Sequence, residues 1–217
     1  MMQLYFAPLA CSLVPRIVAA EMGIPLALRQ VELWAATLTE DETPYADVTP
    51  LALVPVLVRE DGERLTEVQA IVQYLADRAP ERGLLAPVGS LDRYRTIGWC
   101  AYFATEVHKR IFWRITKPGV PHEGKAHAHA LGASALDHLE AHMAGRRYVA
   151  TDAFTIADAY LAWVLAVAPR LRIAIGDRPH LNAYWARMMD RPSVAGPLNE
   201  ELALLPAALE RQAALRT

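Results

Sequence analysis

Cysteine is scarce: Cys11 and Cys100 are the only two among 217 residues. That excludes a disulfide-stapled scaffold and points to a reducing compartment, which we take to be the cytoplasm. Lysine is nearly as rare, occurring only as Lys109, Lys117 and Lys125. A basic excess is missing as well. Lys plus Arg is 22 against 24 for Asp plus Glu, a net charge of −2, so the charge balance excludes a nucleic-acid partner. Long apolar runs are absent, none approaching the roughly 18 residues of a membrane span, and this excludes a membrane role. No basic stretch precedes Ala7-Pro8-Leu9-Ala10-Cys11, and the apolar run before it is short, so it does not read as a lipoprotein cleavage site. The N-terminus reads as mature and structural.

What is present is an ordinary globular composition, 53% hydrophobic and 21% charged. A chain of this length buries roughly 70% of the surface its unfolded form exposes, enough for one large domain or two small ones.

The two ends of the chain read differently. Gln3 to Phe6 is a short apolar run stopped by Pro8, which predicts a strand. Ser12 to Met22 carries Leu13, Ile17, Val18 and Ala20 at helical spacing and stops at Gly23, a glycine C-cap. Leu26 to Leu33 alternates as a second strand. Val54 to Val58 and Arg64-Leu65 flank an Asp61-Gly62 turn, the signature of a hairpin. Glu67 to Ala79 has helical period. Residues 80–89 hold prolines and glycines and read as a linker. Beyond Ser90 the strand signals end. One long helix is expected to about Thr116, a second over Glu123–Ala144, then shorter ones over Thr155–Ala168, Pro179–Asp190 and Val194–Leu205. The expected division is 1–79, an α/β domain, and 90–217, an all-α domain.

Five motifs carry weight. Cys11-Ser12 lies at a strand-to-helix junction, where the helix dipole and free N–H groups favour a thiolate; the alternative is a small buried hydrophobe. Val54-Pro55 opens a strand. A cis bond there would turn the Val54 backbone outward to pair with an extended ligand; a trans edge proline is the alternative. Thr66-Glu67-Val68 starts a helix, offering a carboxylate to an amine and N–H groups to a carboxylate; simple capping is the alternative. Thr155-Ile156-Ala157-Asp158 fits a capping box with Asp in the place of Glu. Glu106-Val107-His108-Lys109 reads by itself as a charged helix face. His138 and His142 share a helix face, but no third ligand is evident, so no metal is assigned. Cys100, in mid-helix, reads as inert.

Taken together, Ala7-Pro8, Ala10-Cys11-Ser12-Leu13, Val54-Pro55, Leu65-Thr66-Glu67, Ala70 to Asp77, Ser90 to Tyr94, Glu106 to Lys109 and Thr155 to Asp158 resemble a cytosolic glutathione transferase, most of all the bacterial beta class. The resemblance spans essentially the whole chain. It implies a thioredoxin-like N-terminal domain, an all-α C-terminal domain and a homodimer. It implies an enzyme that joins the thiolate of glutathione to small electrophilic, mostly apolar molecules. Cys11, Ser12 and His108 become the expected catalytic residues, and Cys11 is placed to form a mixed disulfide with glutathione. Val54 and Pro55 would pair with the cysteinyl backbone, and Glu67 with the Val68 N–H would hold the γ-glutamyl head. Lys109 would approach from the helical domain, and Glu106 would reach the partner subunit's glutathione. Glutathione enters as co-substrate, with no metal.

The chain also departs from the pattern. Phe6 stands where a tyrosine is usual, Leu9 and Ala52 where glycine is usual, and Ala36 where lysine is common. Leu51 and Leu53 replace polar residues, Val68 a small or hydroxyl residue, and Ala101 an asparagine. A hydrogen bond to a charged group contributes roughly 1.5–3 kcal/mol, so two lost contacts weaken glutathione about a hundredfold. Two other functions stay open on these grounds: a glutathione-dependent thiol-disulfide reductase, and a non-catalytic binding protein on the same fold.

Overall fold

The computed structural model describes residues 1–215. They form two compact units: Met1–Leu75 joined by the last helix, and Ala76–Arg191.

The first unit is built on a five-stranded sheet. Its strands are β1 (Met2–Phe6), β2 (Leu26–Glu32), β3 (Thr37–Leu38), β4 (Val56–Val58) and β5 (Arg64–Thr66), in the order β3-β2-β1-β4-β5. β1 and β2 are parallel, and the other pairings are antiparallel. The parallel pair needs a crossover, supplied by helix α1 (Leu13–Met22). Gly23 ends α1 at φ 66, donating to the Ala19 and Ala20 carbonyls as a left-handed cap. Helix α2 (Val68–Asp77) follows β5, as the period predicts. Leu4, Leu13, Leu57, Ile71 and Leu75 are fully buried between sheet and helices. β3 has no counterpart in the sequence reading, because a two-residue strand carries too little alternation to register.

The second unit is helical. Its elements are α3 (Leu91–Tyr102), a π-wound segment (Phe103–Phe112), α4 (Trp113–Thr116), α5 (His122–Met143), α6 (Ile156–Val167) and α7 (Pro179–Met189). The single long helix expected over 90–116 is therefore a continuous helical path with ten π-wound residues in its middle. Ser90 caps α3 by accepting from the Arg93 N–H. Gly132 is where α5 admits Ile173: a Cβ there would meet the Ile173 Cδ1 at 2.6 Å. The capping box at the start of α6 forms as expected.

The last helix, α8 (Pro192–Ala214), is longer than expected and belongs to the other unit. It runs on through Pro206, which is exposed, so water can serve the carbonyl that lacks an amide partner. It packs along α1. Arg16 donates to Glu201 at 2.9 Å and also to Glu200, the Ser193 hydroxyl meets Glu21, and Arg211 donates to Glu32 at 3.0 Å. No helix among the described residues is long and apolar enough to cross a membrane.

Candidate functional site

The sheet register decides which loops meet. Tyr5 lies opposite Val56, and Val56 opposite Thr66. The end of β1, the start of β4 and the end of β5 therefore share one end of the sheet. The loop Ala7–Ser12, the Val54-Pro55 lead-in to β4 and the Glu67-Val68 opening of α2 all emerge there. Because β2 is parallel to β1, the turn between β2 and β3 (residues 33–36) joins them.

Cys11 and Val54 come together. The thiol, on a residue 7% exposed, donates to the Val54 carbonyl at 3.6 Å. The Val54–Pro55 bond is cis. The Val54 N–H donates to no described group, which leaves it available to an added extended segment. Glu67 is exposed at φ 67, with no described side-chain partner. The first amides of α2 lie beside it without intrahelical acceptors, while the Val68 side chain is buried.

Two groups expected at the site bond to the turn itself. Ser12 is fully buried, and its hydroxyl accepts from the Ala7 N–H at 3.2 Å and donates to the Ala7 carbonyl at 3.3 Å. It clamps the turn. The N–H groups expected to serve Cys11 are also in use: Leu13 donates to Ala10, and Val14 to the Cys11 carbonyl. A tight turn into α1 satisfies its own amides first.

Glu106, His108 and Lys109 all lie on the π-wound segment of the helical unit. Glu106 accepts from Arg110 at 2.7 Å, and Lys109 is exposed. His108 meets the Trp163 ring edge-on at 4.9 Å. Burial, with a smaller push from Lys109, takes its pKa down to about 4, so the imidazole is neutral at pH 7. Unfolded, the same ring takes a proton below about 6.5. As pH falls from 6.5 to 4 the unfolded chain binds more protons, so this group's contribution to stability is lost across that window. Wild type should lose up to about 3 kcal/mol relative to His108→Gln between pH 7 and pH 4, at about 1.4 kcal/mol per pH unit. Urea unfolding at both pH values checks this; an unchanged gap would mean that His108 titrates normally.

Of the other candidates, Cys100 is buried, and burial pushes its thiol up to about 12. His138 and His142 lie against Trp99, at 6.1 and 4.4 Å, and the His142 Nε2 meets the Val149 carbonyl at 2.8 Å. They pack an aromatic cluster with Trp99.

Three residues outside the five motifs also shape this sheet end. Leu9 and Ala52 hold left-handed backbone, at φ 58 and 49, without being glycine. Leu9 is fixed there by its N–H, which donates to Glu201 of α8 at 2.6 Å. Tyr45 is fully buried; its N–H donates to the Ala36 carbonyl at 2.7 Å and its hydroxyl to the Leu53 carbonyl at 3.1 Å. Leu9 and Ala52 stand where the resemblance puts glycine, the residue that left-handed backbone favours, whereas Tyr45 carries no local signal.

Known proteins share this arrangement. The glutathione S-transferase N-terminal domain model matches residues 10–78, and the C-terminal domain model matches residues 116–192. The chain is 40% identical over 200 residues to glutathione S-transferase GstA of Escherichia coli O157:H7, covering 92% of this chain and 98% of that one. A sphingomonad glutathione S-transferase complexed with glutathione is similar at TM-score 0.86 and 35% identity, over 92% of this chain and 98% of that one. The beta-class glutathione S-transferase of Sphingomonas chungbukensis is similar at TM-score 0.87 and 33% identity, with the same coverage. With both domain models matched, and a relative at this identity spanned almost end to end, the chain belongs to the glutathione S-transferase family.

Proposed function

We propose that this protein conjugates glutathione to small electrophilic, largely apolar molecules, as a homodimer in the cytoplasm. The observation that carries the reading is the meeting, at one sheet end, of the Cys11 thiol, the outward Val54 backbone and the Glu67-Val68 helix start. Glutathione lies along Val54 as a short added strand, its ammonium on Glu67 and its γ-glutamyl carboxylate on the first amides of α2. Its sulfur then sits beside Cys11. The sulfur proton leaves to water, the sulfur electron pair forms the new bond to the electrophilic carbon, and the leaving group departs with its own bonding pair. Cys11 hydrogen-bonds the sulfur but takes no covalent part.

The test is intact mass after incubation with oxidised glutathione. The Cys11 sulfur attacks one sulfur of the disulfide and expels a glutathione thiolate, leaving one glutathione on the protein. The expected adduct survives in Cys100→Ser and vanishes in Cys11→Ser. Conjugation of an aryl halide by Cys11→Ala should stay within about tenfold of wild type, since in this reading the reacting sulfur is that of glutathione and not that of the cysteine. No adduct under conditions that label other thiols would defeat the glutathione site. Faster turnover of a mixed disulfide than of an aryl halide would show a thiol-disulfide reductase instead.

A further inference from the structure

Val54 offers a ligand its N–H, and that N–H shares a peptide plane with the Leu53 carbonyl. The Leu53–Val54 bond is trans. In a planar trans peptide the carbonyl and the N–H point to opposite sides, so holding one aims the other. The Leu53 carbonyl is held: the Tyr45 hydroxyl donates to it at 3.1 Å. The Val54 N–H is thereby turned away from Tyr45, and it donates to no described group.

The hydroxyl takes its own place from the sheet. Tyr45 begins the single helical turn Tyr45–Asp47 and is fully buried. Its ring packs in one cluster with Tyr5, Val31, Leu38 and Val56, 5.6 Å from the Tyr5 ring. Tyr5 on β1 and Val56 on β4 lie directly opposite one another. The Tyr45 N–H donates to the Ala36 carbonyl at 2.7 Å, and its carbonyl accepts from the Val48 and Thr49 N–H groups at 3.0 and 3.1 Å. Burial raises the phenol's pKa, so the hydroxyl keeps its proton and stays a donor. The peptide it holds has little else to fix it. Leu51 is 71% exposed and Leu53 51%, so their side chains supply little packing against rotation.

We propose that Tyr45 is a positioning residue of the glutathione site: through the Leu53 carbonyl, its hydroxyl aims the Val54 N–H at the cysteinyl carbonyl of the bound tripeptide. The proposal rests on the glutathione reading above. Tyr45 is buried and acts only through that peptide. Without the hydroxyl, water can serve the Leu53 carbonyl, the peptide gains rotational freedom, and binding must then order it.

Calorimetric titration of wild type and Tyr45→Phe tests this with two thiols: glutathione, and γ-glutamylcysteamine, which keeps the γ-glutamyl head and the thiol but lacks the cysteinyl carbonyl. Tyr45→Phe keeps the ring and its packing. It is expected to bind glutathione about fivefold more weakly than wild type, the weight of one hydrogen bond between neutral groups, and to bind γ-glutamylcysteamine as wild type does. Equal weakening of both thiols would overturn the proposal, since a loosened fold makes no distinction between them. Unchanged binding of glutathione by Tyr45→Phe would overturn it too, and leave the glutathione site standing. Failure of wild type to bind glutathione would overturn it together with the reading beneath it.

Discussion

Asp158→Ala should lower the unfolding temperature by about 10 °C. The carboxylate is fully buried and accepts from the Val149 N–H at 2.9 Å, the Thr155 N–H at 2.9 Å, the Thr155 hydroxyl at 3.0 Å and the Tyr184 hydroxyl at 3.2 Å. Burial pushes its pKa up to about 6, so the site keeps the charge only because all these donors converge on it. Removing it strands two buried amides and the Thr155 hydroxyl, while the Tyr184 hydroxyl keeps the Asp158 backbone carbonyl at 3.1 Å. Each unsatisfied group costs about 1–3 kcal/mol, and a change of about 4 kcal/mol in a chain of this length moves the midpoint by roughly that many degrees. Asp158→Asn should recover little, because its NH2 group faces donors on one side. Calorimetric scanning checks this; a shift under about 3 °C would mean that water replaces the carboxylate.

The second large effect is expected at Glu201, where Glu201→Ala should cost about 3–5 kcal/mol. Glu201 is fully buried, and Arg16 is 5% exposed. Truncation leaves the guanidinium, which lies 4.9 Å over the Phe6 ring, with only exposed Glu200 for charge. It also frees the Leu9 N–H, which holds that residue in left-handed backbone two positions before Cys11. Removing both charges together, as Arg16→Leu with Glu201→Leu, should cost less than either single change. Urea unfolding of the cycle tests this, and strict additivity would deny the coupling. The rate of Cys11 alkylation gives an independent measure. It should rise about tenfold or more in Glu201→Ala as the loop opens more often; an unchanged rate would show that the turn through Ser12 and Ala7 holds alone.

Much of this architecture is legible along the chain. Gly23, Asp61-Gly62, Ser90 and the Thr155–Asp158 box punctuate it with local chemistry, and local chemistry is what a sequence displays. The sheet end could be foreseen as far as Cys11, Val54-Pro55 and Glu67, which announce themselves by position at element junctions. What escaped was set at long range. Glu201 reads as one acid of a pair on an amphipathic helix, and only its contact 192 residues back gives it a role. The left-handed backbone at Leu9 and Ala52 is imposed by neighbours, and only the glycine that the resemblance puts there hints at it. Ser12 looked chemical because it follows Cys11, yet burial turned its hydroxyl to the backbone. The π-wound segment holds no proline or glycine to announce it, and Phe103, Val107, Ile111 and Phe112 on it are buried.

The seating of α8 on α1 also bears on how the protein is made. Arg16 leaves the ribosome 185 residues before its partner Glu201. At roughly 5–20 residues per second, translation separates the two by about 10–40 s. Through that interval the nascent sheet unit carries a guanidinium meant for burial, and the loop holding Cys11 has no acceptor for the Leu9 N–H. The first unit synthesised is thus among the last to be completed, because its closing helix is made after the whole helical unit.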